Sequence, residues 1–175
     1  MNADYAVMMA AYNRWMNEKV YETAARLNDE ERKRDRGAFF KSIHGTLNHI
    51  MLADRRWLGR LLQDPSFDDG TAPLDQELYA DFEALRAARI ALDGTIDAFV
   101  TTLDDAKLAA SMRYVGRGVP VEHPTGWAVA QLFNHQTHHR GQVTTLLMQA
   151  GHDPGVTDLI AFLRGGGLTP KSASR

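Results

Sequence analysis

Cysteine is absent from the 175 residues. That excludes disulfides, thiolate metal sites, iron–sulfur clusters and a cysteine nucleophile. Charge of one dominant sign is also missing. Lys and Arg number 20 against 22 Asp and Glu, a formal net charge of −2, so no global field draws the chain to nucleic acid. No unbroken apolar run approaches the roughly 18 residues of a membrane span. The opening MNADYAVMMAAYNRWMNEKV lacks a basic stretch followed by an apolar one, so it reads as a helix rather than a secretion signal, and the expected compartment is the cytoplasm. Neither a Ser–His–Asp arrangement nor a pair of matched carboxylates is legible.

What is present is an ordinary globular balance, 44% hydrophobic and 24% charged, at a length that suits one domain with a real core. Apolar residues recur at three- and four-residue steps over 3–27, where Tyr5, Met8, Met9, Tyr12, Trp15, Met16 and Val20 mark one face. Residues 28–36 read as a solvated, mixed-charge loop. A second helix is expected over 37–63 and a third over 75–102, separated by a polar stretch that Pro65, Gly70 and Pro73 break. Residues 110–123 predict two short strands or an extended hairpin, with Gly116 and Gly118 at a turn. A fourth long helix, 125–150, ends at Gly151, and a short fifth covers about 156–164. Four long helices with one extended insert imply an antiparallel bundle. The domain runs over 1–165, with a flexible tail at 166–175. Trp15, Trp57, Trp127 and the methionines of the first helix are expected to pack the core or a dimer face.

The seven histidines are unevenly distributed. His135, His138 and His139 fall in FNHQTHHRGQV, and His44 and His49 in SIHGTLNHIML. At about 100° per residue, setting His135 to 0° puts His139 near 40° and His138 near 300°. The apolar stripe of Ala128, Leu132, Val143, Leu146 and Leu147 contains His139 and borders His135, so these two share a face and His138 leaves it. An i, i+4 pair can present two imidazoles to one ion. Two imidazoles buried together would otherwise need partners for their polar nitrogens. On the second helix His44 and His49 flank the apolar stripe on opposite sides, and helical geometry does not choose between them.

LNHIMLADRRWLGRL and FNHQTHHRGQV, with the late TDLIAFLR, closely resemble the DinB family and its YfiT-like relatives over nearly the whole chain. The resemblance implies an all-α fold, a four-helix up-down-down-up bundle with a metal ion inside it. It implies three ligands, one histidine from the second helix and two, four apart, from the fourth: His49, His135 and His139. It also implies a homodimer.

Three neutral imidazoles with open positions suit a catalytic site, which can activate a water or act as a Lewis acid toward a thiol or oxygen. Zinc, nickel and iron(II) all suit such ligands, with zinc or nickel expected. Asn48, Asp54, Asn134 and Gln142 are candidates for groups that fix the rings. Arg140 reads as a surface or interface ion pair rather than an anion contact. Distant relatives point to a transferase that uses low-molecular-weight thiols, with hydrolysis as its rival. The alternative is a non-catalytic, stress-response protein in which the ion stabilises the bundle. A histidine phosphotransfer module is disfavoured because HIMLADRR lacks the expected lysine and glycine, and a diiron site because paired Glu-x-x-His elements are absent.

Overall fold

The computed structural model describes residues 1–67, 70–116 and 118–168. Four long helices dominate: α1 (Ala3–Ala24), α3 (Ile43–Leu62), α4 (Phe82–Val100) and α6 (Thr125–Gln149). Three of them start at a side-chain cap, which occupies an otherwise orphan backbone N–H and contributes about 1 kcal/mol each. Asn2 accepts from Tyr5 N, Ser42 from Gly45 N and Asp81 from Ala84 N. At the far end of α6, Gly151 takes φ +84° and His152 N returns to Leu147 O, closing the helix where glycine is favoured.

These caps move two of the expected boundaries. The second long helix begins at Ile43, not at residue 37, because residues 37–41 form a tight turn with positive φ at Gly37 and Lys41. Phe39 therefore leaves the apolar stripe and is 84% exposed. The third long helix begins only after Asp81, since residues 74–79 are tied to α3 instead. Within the charged 28–36 segment a five-residue helix, α2 (Asp29–Lys33), forms under an Asn28 cap. A second short helix, α5 (Asp105–Ala109), precedes the hairpin, and α7 (Leu159–Arg164) follows α6.

The extended insert is an antiparallel hairpin, β1 (Ser111–Gly116) with β2 (Val119–Pro124), in register from Ser111 opposite Pro124 to Gly116 opposite Val119. The chain is thus mostly helical with one small two-stranded sheet. Of the expected tail, residues 169–175 lie outside the described residues. Among the described residues no helix is long and apolar enough to cross a membrane.

Side-chain pairs give the sense of each helix contact. Arg14 pairs with Asp97 and Tyr21 stacks on Phe82, so α1 and α4 are antiparallel. His49 meets His139 while Asp54 meets Gln136, so α3 and α6 are antiparallel. Asn48 bonds Tyr79, just before α4, and Asp54 bonds Arg89 within it, so α3 and α4 run the same way. The interior is apolar, built on Ile43, Leu47, Met51, Leu58, Leu85, Ile96, Leu132, Phe133 and Leu147. Trp15 packs on this core with Tyr12 and Phe162, whereas Trp127 is 68% exposed and stacks on His123.

One polar layer crosses that core. Asp54 on α3 accepts from Arg89 on α4 at 2.5 Å and from Gln136 on α6 at 2.7 Å. Arg89 also pairs with Asp93 at 2.9 Å, and Asp93 accepts from Asn13 and Asn17 on α1. Arg140 on α6 donates to Asn13 and Gln136, which closes the circuit through all four long helices. Arg140 is therefore buried, not the surface or interface ion pair expected of an arginine in a polar stretch; its partners lie on other turns and other helices.

Candidate metal centre

His49 projects from α3, and His135 and His139 from consecutive turns of α6. Their ring nitrogens cluster: His49 Nε2 lies 3.1 Å from His135 Nε2 and 3.2 Å from His139 Nε2. The three residues offer ligand atoms that all lie within 4.8 Å of one another. Metal–nitrogen bonds of about 2.0–2.1 Å would put ligand nitrogens roughly 2.8–3.4 Å apart, from octahedral to tetrahedral angles, so the two spacings fit a shared ion.

The outer nitrogens decide which atom faces inward. His49 Nδ1 donates to the Leu74 carbonyl at 2.8 Å, and His139 Nδ1 donates to Gln142 Oε1 at 2.7 Å. A neutral ring that spends its proton at Nδ1 carries a lone pair at Nε2. Lone pairs facing each other at these distances repel unless a proton or a cation lies between them. Between His49 and His139, whose own protons are spent at Nδ1, an added proton is disfavoured because it would make an imidazolium. Burial, only partly countered by the Leu74 bond, pushes His49 down to about 4, and burial together with the neighbouring histidines pushes His135 down to about 3. His139 is lowered too, mainly by burial. A divalent cation satisfies the donor set without that penalty.

The shell around the rings is built from three directions. Phe40 stacks on His49 with centroids 3.7 Å apart and planes 16° apart, and meets His139 edge-on at 5.6 Å. Gly45 permits this, because a Cβ there would collide with the Phe40 carbonyl oxygen. Segment 74–79 is strapped to α3 by Asn48, whose amide bonds both the Tyr79 N–H and the Tyr79 carbonyl. That strap carries the Leu74 carbonyl to His49. Gln142 completes the shell from α6. Gln142→Ala should weaken zinc binding by about 10–100-fold, the usual loss for such a partner. Competition titration against a chromophoric chelator checks this, and an unchanged affinity would remove Gln142 from the shell.

The other sequence candidates are placed as follows. His44 is buried with Nε2 on the Tyr79 carbonyl at 2.8 Å, away from the cluster. His138 is exposed, and its ring meets His139 edge-on. Asn48 acts on the strap and touches none of the three rings. Asp54 bonds Gln136 and Arg89, one layer deeper. Asn134 is exposed on α6. Sequence reasoning missed the Leu74 carbonyl, which no side chain announces, and Phe40, which falls in a turn. It also missed Arg56 and Arg60, seven and eleven residues beyond His49, a spacing that marks the same face of α3.

A pocket of about 850 Å³ opens beside the histidines, bounded by α3, α6, the strap and β1. Three tight ligand positions next to a cavity of small-molecule size can hold an ion and still admit a further ligand.

The DinB family model matches residues 1–171. Protein DinB of Bacillus subtilis strain 168 is 25% identical over 178 residues, spanning 92% of this chain and 95% of that protein. The crystal structure of a DinB-like protein from Bacillus cereus ATCC 10987 superposes with a TM-score of 0.53 at 23% identity, covering 81% of this chain and 90% of that one, and so shares the fold. With a family match across nearly its whole length, the chain belongs to the DinB family.

Proposed function

We propose that His49, His135 and His139 bind one divalent transition-metal ion, zinc or nickel before iron(II), and that the chain is a metal-dependent enzyme of the thiol-dependent transferase or hydrolase type. The helix senses described above suit an up-down-down-up bundle as its frame. The observation that carries the reading is the convergence of three Nε2 atoms whose rings are buried or half-buried and, in two cases, locked by a donor bond at Nδ1. When bound, such an ion supplies Lewis acidity toward an oxygen or sulfur of a substrate.

The protein's own contribution is positional. Leu74 and Gln142 hold two rings in the ligating tautomer. Phe40 covers one face of His49 and keeps water off it. Only two helices and three side chains supply ligands, which leaves coordination positions open toward the pocket. That favours catalysis over a purely structural ion.

Elemental analysis of tag-free protein, beside His139→Ala, tests the site. One equivalent of metal in the parent, largely lost in the variant, is expected. A parent that takes up none of zinc, nickel or iron(II) overturns the reading. Chelation that leaves the helical circular dichroism intact supports the open, catalytic form; chelation that unfolds the chain supports the structural alternative.

A further inference from the structure

The pocket beside the histidines reaches well past them. Trp57 lies eight residues beyond His49 on α3, and Gln131 eight residues before His139 on α6. Because the two helices are antiparallel, both stand roughly 12 Å from those histidines along the axes, on two walls of one cavity. Tyr114 of β1 closes this far end from a third side, its ring edge-on to Trp57 at 5.7 Å. Charge is already spent there. Arg60 lies over the rings of Trp57 and Tyr114, Arg56 donates to the Ala72 carbonyl, and both guanidiniums have further partners. No Asp or Glu lines the cavity among the described residues. What this end offers a ligand is neutral hydrogen-bonding capacity.

The hairpin fixes the polarity of that capacity. Tyr114 stands opposite Val121 and Met112 opposite His123, so Tyr114 and His123 are diagonal neighbours on one face of the sheet. His123 Nδ1 donates to the Pro124 carbonyl at 2.9 Å, which leaves Nε2 of the neutral ring with a lone pair. That nitrogen lies 3.3 Å from the Tyr114 hydroxyl and accepts a hydrogen bond from it. With its one proton so directed, the Tyr114 oxygen can only accept from a ligand. Gln131 is half-buried, and its amide has no hydrogen bond among the described residues, so it supplies both a donor and an acceptor.

We propose that this far end is a subsite for an uncharged carboxamide. The amide N–H of the ligand donates to the Tyr114 oxygen, and its carbonyl accepts from Gln131 Nε2. The apolar body of the molecule lies along Trp57 toward Phe39 and Phe40, which line the same cavity. His123 is a positioning residue: it touches no ligand and sets the direction of the Tyr114 proton. The substrate class of the site is then an elongated neutral amide rather than an ion. An oxygen or sulfur atom at its opposite end, reaching the histidines, rests on the metal reading above; the amide contacts do not.

The test titrates 4-phenylbutyramide, its N,N-dimethyl derivative and 4-phenylbutyrate into the full chain by calorimetry, with chelator and again with zinc. The primary amide should bind about five- to tenfold tighter than the dimethyl amide, which has no N–H, and tighter than the carboxylate. That preference should persist in chelated parent and in His139→Ala, and vanish in Tyr114→Phe. Gln131→Leu should weaken both amides alike, since each keeps its carbonyl. His123→Leu releases the Tyr114 proton toward the ligand, so the dimethyl amide should gain on the primary one; equal weakening of both would overturn the positioning role. No detectable binding of the primary amide, equal binding of the two amides by the parent, or the carboxylate as the tightest ligand would each overturn the subsite. So would a preference that survives Tyr114→Phe or appears only with zinc, or amide binding untouched by Gln131→Leu. If Tyr114→Phe loses helicity, Gln131→Leu and His123→Leu carry the readout. Because the decisive comparison is made without metal, a parent that takes up no metal yet prefers the primary amide fails the metal reading alone.

Discussion

Asp54→Ala should lower the unfolding free energy by about 3–5 kcal/mol, the usual cost of removing one partner from a buried ion pair. The carboxylate is fully buried and joins Arg89 to Gln136. Without it Arg89 keeps only Asp93, and the Gln136 amide loses its acceptor in a site closed to water. The effect should reach the metal centre as well, because Gln136 is the residue next to His135 on α6. Asp54→Asn keeps an acceptor and much of the volume but removes the charge, so its loss should be smaller. Urea denaturation of metal-free protein measures both. A loss under 1 kcal/mol for the alanine variant would mean that the polar layer does not hold the four helices together.

Acid should destabilise the metal-free protein well before it affects the carboxylates on the surface. His49 is held down to about 4 and His135 to about 3, both mainly by burial, against an ordinary value of 6.5. Depressed histidines bind protons more readily in the unfolded chain. Their contribution is therefore present above pH 6.5 and is lost as pH falls toward the folded values. Between pH 7 and 5 each ring should cost up to about 2 kcal/mol. Asp54 acts in the opposite sense: burial lifts its carboxyl to about 6 despite Arg89, so it takes up a proton earlier in the folded chain and offsets part of the loss below pH 6. Thermal melts of chelated protein across this range should show a falling Tm. Zinc should raise Tm most near neutral pH, where imidazoles need not release protons to bind it. A Tm of chelated protein that stays flat from pH 7 to 5 would show that the rings are not depressed.

The fourth long helix was legible because its apolar stripe and its histidines share one 100° step. His135 and His139 fell on a common face and His138 off it, as the structure places them. The second was not legible to the same degree. His44 and His49 sit on opposite flanks of the stripe, and each gives a ring nitrogen to a loop carbonyl, Tyr79 or Leu74. What separates them is which flank meets α6, a tertiary fact. The same holds for Arg140, whose burial makes sense only with Asn13, 127 residues away, as its partner. Helix starts shifted for a local reason: Ser42 and Asp81 are strong caps, and the apolar residues before them, Phe39 and Leu78, continue the helical period by coincidence.

The Leu74 contact places the selection pressure on an unusual quantity. A carbonyl oxygen is common to all twenty residues, so the spelling of position 74 is free while its distance along the chain is not. Tyr79, clamped at both backbone atoms by Asn48, fixes one end of a five-residue tether, and His49 waits at the other. Substitutions within the tether leave the acceptor where it is. An insertion or deletion would swing it away from the ring, so the inward-facing nitrogen of His49 is specified by a count of residues rather than by any one of them.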